Sequence, residues 1–420
     1  MVTRANEGFY FTAEFDRRKA VCIFWPRTVE PVKGYNAHKV IAEFTKILQD
    51  EGDVELYINC GHEGTIDNVR TALKAAGADI EKIHFTQFPD LTNWARDYGP
   101  DLLVDGKGNT QLVSFNFNVY GQAAPDFPMS VLGTNMNAHM ALHMGCRDFV
   151  VPNIFSEGGD REINGKGVLM TIENTEVTKR NPNMTREQVE QAFKDALNLK
   201  KIIWLPFPTY DDEGILDGPM DIIDGKPIYR SLSANGHIDE MCRFVNANTV
   251  LLTEVDEEEA SRLNSSRITK ERLDMAYEVL KNSTDADGNP INIVRIPAAE
   301  PIYIETVPGE WLRDTWGKRF DDGNDNTTLA DGSPMPKDTD PITVQPALSY
   351  CNFLVCNNVV LAQRYWKEGL PLSIKERDEK AKQVLESVFP DRKVIALDTI
   401  ALNIMGGGIH CMTKDIPVAD

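Results

Sequence analysis

Glu157-Gly158-Gly159-Asp160, the turn Asn164-Gly165-Lys166-Gly167, the stretch Arg186 to Leu197 and the run Lys201-Ile202-Ile203-Trp204-Leu205 follow one another along the chain. Paired glycines at the turn suit a tight hairpin. Arg186 to Leu197 repeats its apolar residues at the helical period, and the run after it switches to the shorter period of a strand. The same helix-then-strand succession recurs at Val40 to Asp50 with Val54-Glu55-Leu56-Tyr57-Ile58, at Glu271 to Leu280 with Ile293-Val294-Arg295-Ile296, and at Lys375 to Phe389 with Lys393-Val394-Ile395-Ala396-Leu397. Further hairpin turns stand at Asp105-Gly106-Lys107-Gly108, Asn246-Ala247-Asn248 and Cys356-Asn357-Asn358. The expected unit is helix, strand, turn and hairpin, repeated about four or five times.

Chemistry-bearing residues recur at one place in this unit. Trp94-Ala95-Arg96-Asp97-Tyr98-Gly99-Pro100 precedes the first hairpin, Glu157-Gly158-Gly159-Asp160 the second, and Asn235-Gly236-His237-Ile238-Asp239 opens the third. Repeats set around an axis bring such positions together at its centre. Near the C-terminus, Met405-Gly406-Gly407-Gly408-Ile409-His410-Cys411-Met412-Thr413 sets a thiol behind three glycines, which let backbone approach something closely.

Bulk composition narrows the function classes. A chain of 420 residues with formal charge -20 does not suit nucleic acid, which needs basic surface, and is compatible with a cationic small molecule. The absence of a long apolar run and of an apolar leader points to no membrane span and a cytoplasmic protein. The 7 cysteines form no CxxC pair, which fits reduced thiols, and Cys22, Cys60, Cys146, Cys242 and Cys356 read as core fillers.

A thiol, an imidazole and the carboxylates of Asp97, Glu157 and Asp239 would repel one another in one buried place unless a cation joined them. In a strand, His237 and Asp239 would point to one face. The cation that fits best is a guanidinium: planar, always charged, and forked to match carboxylates. Held by two of them, its central carbon is open to attack by a thiolate, with histidine carrying the proton.

The segments Trp94-x-Arg96-Asp97-x-Gly99-Pro100, Glu157-Gly158-Gly159, Asn235-Gly236-His237-x-Asp239 and Gly406-Gly407-Gly408-Ile409-His410-Cys411-x-Thr413 together resemble the signature segments of the agmatine deiminases. These belong to the bacterial peptidylarginine-deiminase-like branch of the guanidino-group-modifying enzymes. Phe24-Trp25-Pro26, Arg180-Asn181-Pro182, Ile203-Trp204-Leu205-Pro206, Asn282 to Gly288 and Ser349-Tyr350-Cys351-Asn352-Phe353 extend the resemblance over nearly the whole chain. It implies an α/β fold, a five-bladed pseudosymmetric propeller (pentein) of ββαβ units forming a single catalytic domain over residues 1–420, with the site on its axis. It also implies hydrolysis of agmatine to N-carbamoylputrescine and ammonia in putrescine formation, without metal or organic cofactor, by a homodimer. Its roles fall on Cys411 as nucleophile, forming a thiouronium intermediate, His237 as proton carrier, Asp97 and Asp239 as guanidinium clamp, and Glu157 as positioner. Trp94, Asn352 and Gly408 are expected to contact substrate, with His410 and Tyr350 shaping the pocket.

Other readings of these residues stay open: the same chemistry on free or peptide-linked arginine or another guanidinoalkylamine, a metal-dependent hydrolase with Cys411, His237, Asp239 and Glu157 as ligands, and a polyamine-binding protein without catalysis. Two loops stand out. Asp212 to Ala234 adds roughly twenty residues beside His237 relative to the agmatine deiminases, and its Asp217, Asp221, Asp224, Lys226 and Arg230 are expected to reshape the far end of the pocket. An acidic loop at about 320–340 includes Phe320 to Asn326, whose spacing departs from a calcium loop and reads as solvated.

Overall fold

A computed structural model describes residues 4–61, 64–316 and 327–420. Its architecture is mixed α/β, with six sheets among the described residues. In four of them an antiparallel hairpin is followed, across a helical connection, by a third strand parallel to its second. These sheets are Asp101–Val104, Thr110–Val113 and Phe149–Val150; Glu162–Ile163, Val168–Ile172 and Lys201–Leu205; Cys242–Asn246, Thr249–Glu254 and Asn292–Pro297; and Leu354–Val355, Val359–Arg364 and Lys393–Asp398. The fifth joins the chain ends: C-terminal Thr413–Pro417 runs antiparallel to Arg18–Phe24, which lies parallel to Glu55–Asn59, itself parallel to Ile83–Thr86.

Local chemistry sets the boundaries. Helix Arg186–Leu197 starts at Thr185, whose hydroxyl accepts from the Gln188 N–H while the Gln188 side chain accepts from the Thr185 N–H, and it ends at Asn198 in the left-handed region. Val189, Phe193, Ala196 and Leu197 form its buried stripe. They share an apolar cluster with Leu103 and Val113 of one sheet and Leu169 and Trp204 of the next. Burying one such side chain is worth about 1.5 to 3 kcal/mol, so each helix ties two sheets together.

The other clusters continue this linkage. Val168, Ile172 and Ile203 meet Leu252 and Leu273; Leu251 and Ile296 meet Phe353 and Val360; Leu354 and Leu361 meet Val21 and Ile58; Ala20 and Phe24 meet Leu102 and Leu112. Apolar contact thus passes from sheet to sheet and returns to its start.

The sixth sheet corrects one expectation. Residues 212–234 are not a plain loop: Asp221–Ile223 and Lys226–Arg230 form a hairpin whose second strand lies parallel to Ile342–Gln345, which pairs in turn with Ile304–Thr306. Ile228, Tyr229 and Arg230 are all buried, which fixes this hairpin against the body. Of the acidic loop, Phe320 to Asn326 lies outside the described residues, and Thr328 bridges Pro334 in the remainder.

Candidate active site

Each of the five repeating sheets is entered through a short turn that precedes a hairpin strand, and these turns converge. Ala95–Tyr98 leads into Asp101–Val104, Gly158–Asp160 into Glu162–Ile163, Ile238–Glu240 into Cys242–Asn246, and Ile409–Met412 into Thr413–Pro417. Asn352 holds the corresponding place ahead of Leu354–Val355. Residues far apart in sequence thereby face one another.

Cys411 Sγ lies 3.0 Å from Asn352 Nδ2, 3.6 Å from Asp239 Oδ2 and 3.7 Å from Glu240 Oε1. Asn352 Oδ1 accepts the backbone N–H groups of Gly408 and Cys411, and its amide also donates to Glu240 Oε1. One amide thus fixes both the thiol and the turn that carries it. A Cβ on Gly407 would sit 2.8 Å from Cys411 Sγ and 3.1 Å from the Trp94 ring, so close approach demands glycine there. Gly159 is bound in the same way, since a Cβ would fall 2.3 Å from His237 Nδ1 and 2.9 Å from Asp97 Oδ1.

His237 and Asp239 do not share a strand face, because Ile238–Glu240 is a 3-10 turn. The turn sends the two side chains apart. His237 reaches Asp97 through Nδ1 at 3.6 Å and Glu157 through Nε2 at 3.4 Å. Asp239 Oδ2 accepts from His410 Nδ1 at 2.6 Å, and His410 Nε2 lies 2.6 Å from Glu14. Asp97 accepts the Tyr120 hydroxyl at 2.9 Å and the Gly159 N–H at 3.1 Å, whereas Arg96 turns away to Asp415 and Glu14. Glu157 is paired with Arg180 at 2.6 Å.

Electrostatics follows from this geometry. Burial by itself would lower the His237 pKa, but the charge of Asp97, the Glu157 hydrogen bond and the charges of Asp239 and Glu157 raise it to about 10, so it is an imidazolium at neutral pH. Burial, reinforced by Asp239, Glu240 and Asp97, pushes the Cys411 thiol well above its usual value. Burial also raises Asp97 and, with Asp239, Asp212 and Asp211, raises Glu240 well above the carboxylate range. Asp239 goes the other way: burial is outweighed by the hydrogen bond and charge of His410. In Glu157 burial is outweighed chiefly by Arg180. Three buried atoms at this centre have no hydrogen-bond partner among the described residues, namely Glu157 Oε1, His237 Nδ1 and Asp239 Oδ1. Two of them are carboxylate oxygens, which suits a cationic donor.

A cleft of about 750 Å³ opens beside this centre, with Trp94, Tyr120 and Met405 in the wall it shares with the site. The Tyr120 ring also lies 5.7 Å from that of His237. Trp94 therefore serves as a wall. Within the protein, Asn352 braces the thiol, and Gly408 packs on the Gln363 amide, where a Cβ would be 2.3 Å from Oε1. Tyr350 is bonded to Asp378 and lines a separate small cavity.

Residues 212–234 act through members other than the expected charges. Asp221 binds the Ser265 N–H and hydroxyl, Arg230 binds the Tyr210 and Gly218 carbonyls, and Asp224 and Lys226 stand at the exposed hairpin turn. Ile215, Leu232 and Ser233 are the ones that line the cleft, while Asp212 accepts the backbone N–H groups of Ala234, Gly236 and His237.

Sequence reasoning missed Glu240, Asp212, Arg180, Tyr120 and Glu14. Glu240 was adjacent to an assigned aspartate. Tyr120 had no motif to mark it; its signal is conformational, since Val119 and Tyr120 have φ of 52° and 61°. For a β-branched residue such a φ is strained, and strain of this kind gathers at functional sites. As for metal, Asp239, Glu240 and Cys411 offer three ligand atoms within 4.8 Å of one another, a donor set suited to a thiophilic divalent ion.

The sequence profile of one family matches residues 10–417, which takes in every residue of this centre. The chain belongs to the Porphyromonas-type peptidyl-arginine deiminase family. Among its relatives is a Selenomonas ruminantium protein with the curated name "Putative agmatine deiminase", 26% identical over 100% of this chain and 98% of its own. An Enterococcus faecalis agmatine deiminase structure superposes with a TM-score of 0.72 at 20% identity, covering 99% of this chain and 97% of that one. A C. jejuni agmatine deiminase structure does so with a TM-score of 0.65 at 18% identity, covering 97% and 96%. This member of the deiminase family shares their fold from end to end.

Proposed function

We propose that the protein hydrolyses the guanidinium group of agmatine to N-carbamoylputrescine and ammonia through a covalent thiouronium on Cys411. The observation that carries this reading is the placement of a buried thiol among the carboxylates of Asp97, Asp239 and Glu240, with an unpartnered Asp239 oxygen beside it. Membership of a deiminase family and the printed names of the relatives support it.

The charge pattern suggests how the steps run. At rest the thiol keeps its proton, because negative neighbours oppose a thiolate. A guanidinium gripped by Asp97 and Asp239 reverses that field and favours ionisation of the thiol, whose proton passes to solvent. The sulfur then bonds to the central carbon, and the carbon–nitrogen double bond opens onto nitrogen. His237, an imidazolium, gives its proton to the departing amino group, which leaves as ammonia as the carbon–nitrogen bond breaks. Neutral His237 next takes a proton from water, whose oxygen attacks the carbon. The carbon–sulfur bond breaks as the adduct's hydroxyl becomes the ureido carbonyl, its proton passes to the sulfur, and the product is released with the thiol restored. Glu157, held by Arg180, keeps the imidazole ring in place.

The four sheets of one pattern, the fifth that joins the chain ends and the apolar clusters that link them support a five-bladed ββαβ propeller, with residues 212–234 inserted into a single catalytic domain. A cytoplasmic homodimer needing no cofactor is part of the same reading, and no described helix is long and apolar enough to cross a membrane. Ammonia release from agmatine, with stoichiometric formation of the ureido product and loss of both on Cys411→Ala, tests the function. Ammonia release undiminished in that variant would refute the covalent route.

A further inference from the structure

We infer that the cleft beside Cys411 receives an uncharged apolar tail, so that the substrate class extends to guanidinoalkylamines whose amino end is capped by an aromatic acyl group. This rests on the deiminase reading of Cys411 and concerns the other end of the substrate.

Size is the first argument. The cleft of about 750 Å³ falls in the range of roughly 300 to 1,000 Å³ that takes drug-sized ligands. A single unbranched butylamine chain occupies only a fraction of such a space. The wall is the second argument: Trp25, Trp94 and Trp311 line it together with Ile215, Leu91 and Val29. Val29 and Leu91 remain 46% exposed, which leaves apolar surface at the mouth uncovered among the described residues.

Charge is the third. A free ammonium entering this wall needs a carboxylate to replace its hydration. Asp90 is the buried acid of the wall, and it already accepts the Tyr98 hydroxyl at 2.9 Å and the Thr92 N–H at 3.0 Å. Glu30, the other acid of the wall among the described residues, is exposed, and Arg27 in the same wall opposes a cation. The carboxylates that favour positive charge are gathered instead at the guanidinium end, around Cys411. Residues 212–234 contribute to the cleft an isoleucine, a leucine and a serine, none of them charged. A capped amine brings no charge to desolvate and offers an aromatic face to the tryptophans.

The test compares ammonia release by the full-length protein from agmatine and from N-benzoylagmatine, with Leu91→Glu and Val29→Glu as variants at the exposed mouth. The expected result is a kcat/KM for N-benzoylagmatine at least equal to that for agmatine, with either glutamate shifting the ratio toward agmatine by about tenfold. A wild-type preference for agmatine, or a ratio that neither variant moves, overturns the inference while leaving the deiminase reading standing. Turnover of neither compound sinks both.

Discussion

Asp239 Oδ2 lies 2.6 Å from His410 Nδ1 and 3.6 Å from Cys411 Sγ, so the residue preceding the thiol orients the carboxylate that faces it. His410 is held from behind by Glu14, which also pairs with Arg96 and Arg243. One Asp239 oxygen is thereby fixed, and the other has no hydrogen-bond partner among the described residues. A carboxylate so positioned loses little freedom when a donor arrives.

Cys411→Ser should lower kcat by about a thousandfold or more, because a hydroxyl in the same field has no accessible anion. Circular dichroism and thermal melting should match the parent. Retention of a tenth of the activity would exclude the nucleophilic role.

Asp239→Asn and Asp97→Asn each remove a charge from the guanidinium clamp, and kcat/KM should fall by about 10²- to 10³-fold. Steady-state kinetics on agmatine checks this. For Asp97 the neighbouring hydroxyl offers a graded control: Tyr120→Phe deletes one hydrogen bond and should cost about 1 to 3 kcal/mol in transition-state binding or stability.

The pH dependence of stability has a definite sign. The folded state raises His237 from 6.5 to about 10, so its contribution is fully present below pH 6.5 and is lost as pH rises toward 10. Glu176, raised mainly by burial and then by Glu157 from 4.5 to about 8, makes the folded state less stable as pH climbs between those values. Urea unfolding should therefore show stability declining from pH 5 to pH 10, and Glu176→Gln should flatten the lower part of that decline. A stability rising across this range would contradict the electrostatic account.

Gly159→Ala should cut turnover by about tenfold or more, since its methyl would overlap His237 and Asp97 and displace the proton carrier. Kinetics alongside a melting curve separates this from general destabilisation. Unchanged kcat would mean that the ring shifts without consequence.

Chelators should leave activity intact, whereas micromolar zinc or cadmium should inhibit by bridging Cys411, Asp239 and Glu240. Activity lost to a chelator and restored by metal would favour the hydrolytic-metal alternative.

Secondary structure was legible where local rules dominate. Helix Arg186–Leu197 and strand Lys201–Leu205 fall where their periodicity and turn residues put them, and the glycine- and asparagine-bearing turns each join a hairpin. Residues 212–234 were less legible. Their charged members read as pocket-lining, yet in the inserted hairpin Asp221 and Arg230 spend their charge on hydrogen bonds within the protein.

By itself the sequence determined the repeating unit and singled out the residues proposed to react, because periodicity, turn chemistry and the glycine-framed motifs are local properties. Only the tertiary structure decided how those residues divide their tasks. That Asn352 braces the thiol, that the His237 and Asp239 side chains part, and that a strained Tyr120 reaches Asp97 all depend on contacts between residues tens to hundreds of positions apart. Burial and neighbouring charge together then set the charge states: Asp97, Glu157 and Asp239 outweigh burial and raise the His237 pKa to about 10, while burial holds the Cys411 thiol well above its usual value. Desolvation is a property of the packed molecule, and no single segment carries it.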